Sequence, residues 1–438
     1  MTISSKPHEF SYVYDCGAGG SNDVPDTIKL AERRLGFTAR TPKSRKGTVN
    51  VLVLSHYDLD HINGARHLVK KRAVERIVLP YLGEDELVVV LSGLALGVSA
   101  DTIRDLHQLA NGAGEFLGRP ATLVAAGERS DERTPRPDEG DFRLPDMTRS
   151  PDGSPSENMS VGVRVPTADI LQLPQSIDDN TEIVAGVPGR SPLWRLRFWN
   201  MGKGNLATVA SSIKTRLKKI GFPVDALQAR SRSKEIVDWL TPIKNRKAAI
   251  CAYTRAIEAL HPGWLREANG RKIANLISIG MYSGPDFPVE RSRVHWRHSS
   301  LNSHCWSDPF SWDLSKELVP GWIGTGDAPL GQDVVWRDFK QHFSLEMKCY
   351  STFLIPHHGA APSNGPASYN PGLNWKRGLA SVVSYGTRNS YGHPSYAVLA
   401  RVLDHGGRVI EVNENRETSF HEVMRIRAAV SSISQPPF

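Results

Sequence analysis

Between positions 55 and 61 the chain reads Ser-His-Tyr-Asp-Leu-Asp-His, so His56, Asp58, Asp60 and His61 bring four metal-capable side chains into six residues. Imidazole nitrogens and carboxylate oxygens together suit zinc, manganese or iron. The run follows Val49–Leu54 (VNVLVL), the kind of continuous apolar stretch expected of a strand buried on both faces. Charge at the mouth of such a strand is costly unless it is paired or bound to metal. Capping of a following helix would account for Asp58 or Asp60, but not for two carboxylates and two histidines together. The run therefore predicts a metal site.

Three later motifs and one earlier residue extend the pattern. Asp15 closes the first apolar strand, Phe10–Tyr14. Gly324-Thr325-Gly326-Asp327, Pro356-His357-His358-Gly359 and Tyr391-Gly392-His393-Pro394 follow in order. The set resembles the metallo-β-lactamase-fold superfamily, whose signature H-x-[H/D]-x-D-H is matched by residues 56–61. Within it, the Asp at position 58 together with TGD, PHHG and YGHP resembles the nuclease-like domain of ComEC-type competence DNA-uptake proteins and their soluble relatives. Asn275-Leu276-Ile277-Ser278 resembles the strand that stands in that group where other members carry a further ligand histidine. The resemblance covers roughly residues 10–82 and 275–412 and leaves 84–270 unexplained. Leu354 stands where such domains often carry Lys, and Ala360 follows the HHG, so a proton donor or phosphate contact is missing or relocated. No stretch corresponds to the transmembrane channel, so DNA import is not implied.

Carried over by position, the resemblance implies a pair of divalent ions, zinc or manganese, with magnesium as a further candidate. Asp60, His61, Asp327 and His358 would hold one, and His56, Asp58 and Asp327 the other, with Asp327 bridging. The second position lacks its usual third histidine, and His357 or His393 would complete it. His358 is preferred to His357 as primary ligand because a His followed directly by Gly matches the usual final motif. Two cations roughly 3.5–4 Å apart clamp a phosphodiester and acidify water. Asp60 would orient that water or act as general base, and His393 would protonate the leaving oxygen or bind phosphate. Asp15 is expected to orient a ligand histidine from behind, and Asn275 and Ser278 either support the site from the strand end or are strand-end packing residues.

Elements must bring these distant motifs together. Apolar strands at Phe10–Tyr14, Val49–Leu54 and Ile77–Leu79 alternate with helical patterns near Pro25–Leu35 and after Asn63, which argues for an α/β sheet. Residues 84–117 read as helical. Residues 128–160 carry five prolines, nine acids and five arginines and read as a mobile surface insertion. Trp194–Trp199 (WRLRFW) alternates apolar and basic, the mark of a half-exposed strand. Residues 205–262 read as two or three helices broken at Gly221–Pro223 and Pro242. Strands are expected at Leu276–Met281, Trp322–Gly324, Thr352–Ile355, Ala380–Ser384 and Arg408–Glu411, with a helix at Ser395–Asp404. The expected fold is a four-layer αββα metallo-β-lactamase-type sandwich. Its first half spans 1–83, a mostly helical insertion spans 84–270, and the second half spans 271–438.

Charge points to a partner. The 438 residues carry a formal net charge of +8. Residues 201–250 hold eleven Lys/Arg against three acids, which is the whole of that excess. Either this is a solvated helical face, or Lys214, Arg216, Lys218, Lys219, Arg230 and Arg232 track the phosphates of a nucleic acid, DNA foremost. Arg195 and Arg197 would extend that surface. His295, His298, His304 and Cys305 fit no standard zinc module and read as a solvated loop or, alternatively, a substrate-gripping one.

The expected activity is a metal-dependent phosphodiesterase, a nuclease on DNA. A small-molecule metallohydrolase (lactone, thioester or cyclic nucleotide) is the alternative, and a non-enzymatic metal-stabilised scaffold the third reading. A soluble nuclease with a large insertion also suits an anti-phage effector held inactive by a partner, and a regulatory protein partner or a homo-oligomer is expected. Four scattered cysteines argue against a disulfide framework. No apolar run reaches the roughly 18 residues of a membrane span, and MTISSKPHEF lacks the apolar core of a secretory signal. A cytoplasmic location without membrane contact is expected.

Overall fold

The computed structural model describes residues 2–5, 8–17, 48–94, 98–127, 160–164, 169–170, 173–186, 192–201, 206–260, 274–286, 293–300, 321–348, 350–365, 379–387, 389, 392–414, 418 and 420–427. The helix expected near Pro25–Leu35, nearly all of the Pro/Asp-rich segment, His304, Cys305 and Tyr391 lie outside them.

The fold is mixed α/β. A seven-stranded sheet runs β1 (Thr2–Ser5), β2 (His8–Tyr14), β3 (Val49–Val53), β4 (Val74–Pro80), β6 (Arg119–Ala125) and β5 (Glu115–Phe116), with β9 (Ser176–Asp178) also on β6. The pairs from β2 through β4 to β6, and on to β9, are parallel. A nine-stranded sheet takes the order β17 (Arg408–Val412), β16 (Ala380–Ser384), β15 (Thr352–Leu354), β14 (Trp322–Gly324), β12 (Ile279–Pro285), β11 (Trp194–Asn200), β10 (Glu182–Gly186), β7 (Ser160–Arg164) and β8 (Asp169–Ile170). Its β14 to β17 side is parallel, and the rest is antiparallel. A separate ribbon pairs β13 (Arg293–Ser300) with β18 (Phe420–Arg427).

Side-chain alternation explains why the strands read as unbroken apolar runs. Along β3 and its exit, Val51 and Val53 enter one buried cluster, which also holds Leu196, Phe198, Ile279 and Met281 of the nine-stranded sheet. Leu52 and Leu54 enter another, packed with the helices Glu84–Leu94, Ala100–Ala110, Leu206–Lys219, Ser233–Leu240 and Ile243–Leu260. A third cluster joins Ile323, Phe353 and Val383 to the helices Asp333–His342 and Tyr396–Asp404.

Three expectations are corrected. Residues 84–270 are not only a helical insertion, because β6, β7, β10 and β11 belong to the two sheets. Residues 274–277 form a 3₁₀ turn, so β12 begins at Ile279. WRLRFW is not half exposed. The 3₁₀ turn Glu346–Lys348 supplies Glu346, which pairs with Arg195 at 3.0 Å and Arg197 at 3.2 Å, and Glu182 pairs with Arg195 at 2.5 Å. Burial disfavours the Arg195 charge, but Glu182 and Glu346 outweigh it and raise the pKa. These arginines hold the fold together and do not extend a phosphate-binding face.

Candidate metal centre

The centre forms where the ends of strands from both sheets meet. Ser55, just past β3, accepts at its carbonyl from Ile279 N–H at 2.7 Å, which ties the exit of β3 to the start of β12. Asp15, just past β2, has a φ of 52°, in the left-handed region that residues with a Cβ seldom adopt. This turn aims its carboxylate at the next strand end. Oδ1 accepts from Ser55 N–H at 2.7 Å, and Oδ2 accepts from Ser55 Oγ at 2.8 Å and lies 2.9 Å from His61 Nδ1. Two residues on, a Cβ on Gly17 would overlap the Asp60 carbonyl, so only glycine fits where this turn crosses the histidine loop.

His61 lies on the short helix Leu59–Ile62, for which Asp58 occupies the N-cap position without a side-chain capping bond. Its carboxylate is therefore not committed to the helix; it lies 3.7 Å from His56 Nε2. Asp327 enters from the end of β14 and is 3% exposed. Its Oδ2 lies 3.6 Å from His56 Nε2 and 3.5 Å from His357 Nε2, and its Oδ1 lies 3.4 Å from His61 Nε2. Asp60 Oδ2 lies 3.2 Å from His358 Nε2 and 4.0 Å from His61 Nε2. His357 and His358 follow β15, with φ values of 48° and 51°. The buried Asn364 holds that strained turn by donating to the carbonyls of Pro356 at 2.9 Å and Ala360 at 2.8 Å.

Each ring is gripped from behind at Nδ1. The Ser55 hydroxyl has one hydrogen, which the acceptor-only Asp15 takes, so Ser55 Oγ accepts from His56 Nδ1–H at 2.9 Å. His61 Nδ1–H donates to Asp15 and His358 Nδ1–H to the Ser384 carbonyl at 2.6 Å. His357 Nδ1 lies 3.1 Å from Ser363 Oγ and 3.3 Å from Asn275 Nδ2. In the neutral rings of His56, His61 and His358 this leaves the lone pair on Nε2, facing the carboxylates.

His56 Nε2, His61 Nε2 and Asp327 Oδ1 are buried without a hydrogen-bond partner. Buried polar atoms are rarely left so. A cation would satisfy all three at once, and two groupings have the spacing to hold one: His56, His61 and Asp327, and Asp60, His61 and His358. The electrostatics agree. Burial opposes the charge on Asp327, but His357, His56 and His61 hold its carboxyl well below the usual carboxylate range. Asp60 is also lowered, against its burial, by His358 and His61. Burial alone would lower His61, yet Asp15 and Asp327 raise it; His358 is raised through Asp60 and Asp327.

The structure thus brings His56, Asp58, Asp60, His61, Asp327, His357 and His358 together, and no choice between His357 and His358 is needed, since each faces a different carboxylate. His393 sits beside them, its ring centroid 5.6 Å from that of His357. Asn389 fixes its backbone with bonds of 2.7 and 3.1 Å. Asn275 reaches His357, whereas the Ser278 hydroxyl is buried without a hydrogen-bond partner. Ser55, Ser363 and Asn364 were not anticipated. Ser55 was within reach, being the residue before His56, but a lone hydroxyl carries no spacing signature.

The basic segment divides. Lys214 lies 2.7 Å from both Glu84 and Asp85, and Arg232 lies 2.7 Å from Glu235, so these two charges are neutralised within the chain. Arg216 is half-buried; Lys218, Lys219 and Arg230 are exposed. No helix among the described residues is long and apolar enough to cross a membrane. No protein-family model, curated protein or solved structure matches the chain.

Proposed function

We propose that this chain is a metal-dependent phosphodiesterase that hydrolyses nucleic acid, DNA foremost, at the His/Asp centre. The observation that carries the reading is the trio of buried, partnerless ligand atoms on His56, His61 and Asp327, backed by rings already locked at Nδ1. The resemblance to the metallo-β-lactamase-fold superfamily, and within it to ComEC-type nuclease domains, fits the same residues. So does a four-layer αββα arrangement, for which the shared apolar cluster between the sheets and the two helix-bearing clusters are the support.

His56, Asp58 and His357 would hold one divalent ion and Asp60, His61 and His358 the other, with Asp327 between them. Mixed nitrogen and carboxylate donors favour zinc or manganese over magnesium. When bound, such ions polarise a phosphoryl oxygen and acidify water. Asp60, kept ionised, accepts the proton of the attacking water. His393, beside His357, donates one to the departing oxygen. Asp15 and Ser55 hold the His56 and His61 rings in the ligating tautomer.

Purified protein loaded with zinc or manganese should cleave labelled DNA, and Asp60→Ala should lose cleavage while keeping its fold. Full activity in that variant removes Asp60 from the reaction. Failure to cleave any DNA, RNA or cyclic dinucleotide removes the phosphodiesterase reading. One observation favours hydrolysis of a small molecule instead: the intrachain neutralisation of Lys214 and Arg232 reduces the charge available to a long polyanion. That reading predicts turnover insensitive to ionic strength.

A further inference from the structure

His393 and Pro394 lead, through Ser395, into the helix Tyr396–Asp404. This approach is pinned to the metal centre at two points. Ser395 N–H donates to the Gly359 carbonyl at 3.0 Å, and Gly359 directly follows His358. A Cβ on Gly359 would lie 2.7 Å from the Cβ of Pro394, so these two residues are in close packing. The first turn of the helix therefore starts at the rim of the centre.

Val398 and Val402, four residues apart on that helix, are buried in the cluster that holds Phe353 and Val383, so their side rests on the body of the protein. Tyr396 precedes Val398 by two positions, about 200° round the helix, and stands on the opposite side. It is 85% exposed, the most exposed of the large apolar side chains among the described residues. Among those residues neither its ring nor its hydroxyl has a partner. Cα–Cβ bonds in a helix tilt towards its N-terminus, so a side chain in the first position leans back towards the segment that carries His393. Single exposed apolar side chains are ordinary on a protein surface, and Ile220, Ile243, Val334, Leu345 and Leu403 are of that kind. None of those five neighbours a residue of the centre in the chain, whereas Tyr396 follows three residues after His393.

A flat ring beside a centre that hydrolyses a nucleic acid is placed to meet the base next to the phosphate being cut. Every base has a π-face, so stacking on an aromatic side chain tolerates any sequence. In a duplex the faces of each base are already covered by its neighbours in the stack, and only an unpaired or extruded base can lie on a protein ring.

We propose that Tyr396 is the platform on which an unpaired nucleobase beside the scissile phosphate stacks, and that the substrate is single-stranded DNA. This rests on the phosphodiesterase reading and names its substrate class.

The test is fluorescence anisotropy with the full chain under chelator, so that nothing is cleaved. It compares a short labelled single strand of DNA with an oligomer of equal length in which every nucleotide is abasic. The wild-type chain should bind the base-bearing strand at least about tenfold more tightly. Tyr396→Ala should lose most of that preference while its affinity for the abasic oligomer stays unchanged, and Tyr396→Trp should keep the preference. A merely structural role would weaken binding of both oligomers together and would not be rescued by Trp. Wild-type binding that is equal for the two oligomers, or absent for both, overturns the proposal, as does tighter binding of the duplex of the same sequence. So does displacement of the strand by a cyclic dinucleotide at a lower concentration than by unlabelled strand. A second measurement needs no variant. A strand carrying 5-iodouracil, irradiated on the wild-type chain, should crosslink to Tyr396 by mass spectrometry of the digested adduct, and adducts confined to other residues overturn the proposal. Metal is absent throughout, so a base preference carried by Tyr396 supports the ring even if no phosphodiester is cleaved. DNA cleavage by the wild-type chain, with an unchanged base preference in Tyr396→Ala, keeps the phosphodiesterase reading and removes this one.

Discussion

The carboxylate of Asp15 lies 2.9 Å from Nδ1 of His61, and the same carboxylate accepts both donors of Ser55. One side chain at the end of β2 thus sets the ring orientation of His61 directly and that of His56 through Ser55. Asp15→Asn keeps size and one acceptor but removes the charge that favours the Nδ1–H tautomer. Metal affinity, measured by chelator competition, should weaken by about 10–100-fold with the fold intact. Unchanged affinity would reduce Asp15 to a strand-end packing residue.

Gly17→Ala makes a sharper test of the same junction. The new methyl meets the Asp60 backbone, which must move. The variant should fold, by far-ultraviolet circular dichroism, yet lose metal binding and activity. Wild-type metal content in it would show that the loop gives way without disturbing its ligands.

Stability of the chelated protein should depend on pH in a defined direction. Despite burial, Asp15 and Asp327 raise His61 above its ordinary value. Its contribution is complete below about pH 6.5 and is lost as pH rises through the folded value. Asp327 behaves oppositely: against burial, its histidines lower it, so its contribution is complete above about pH 3.9 and is lost as pH falls through the folded value. The melting temperature of chelated protein should therefore fall from pH 6 to pH 9, and His61→Asn should flatten that fall. Metal, which displaces the His61 proton, should bind more tightly over the same rise. A melting temperature that climbs towards pH 9 would contradict the His61 assignment.

Glu346 is fully buried between Arg195 and Arg197. Glu346→Ala leaves Arg195 short of a partner in the interior and should cost about 3–5 kcal/mol in urea unfolding, without altering metal affinity. A loss under about 1 kcal/mol, the range of exposed pairs, would mean that water reaches the pair.

What the sequence made legible follows from where the information sits. His56, Asp58, Asp60 and His61 are adjacent in the chain, so their suitability as metal ligands is visible without a fold. Asp327, His357 and His358 were reachable only through a motif resemblance, because nothing local says that strand ends so far apart in the chain meet. Ser363, Asn364 and the Ser384 carbonyl act through backbone turns and left no signal. β6, Arg119–Ala125, was passed over inside an insertion expected to be mostly helical, because a run as short as Ala121-Thr122-Leu123-Val124-Ala125 fits either period. Arg195 and Arg197 were misplaced because alternation shows that a strand has two faces but not that Glu346 covers the basic one.

The most direct measurement is elemental analysis of the purified chain beside its Asp327→Ala variant, after loading with zinc or manganese and exhaustive dialysis. The account predicts a pair of tightly held divalent ions per wild-type chain and loss of at least one on removing the carboxylate that stands between His56, His61 and His357. A wild-type chain that retains neither metal, or a variant that keeps both ions, would contradict it.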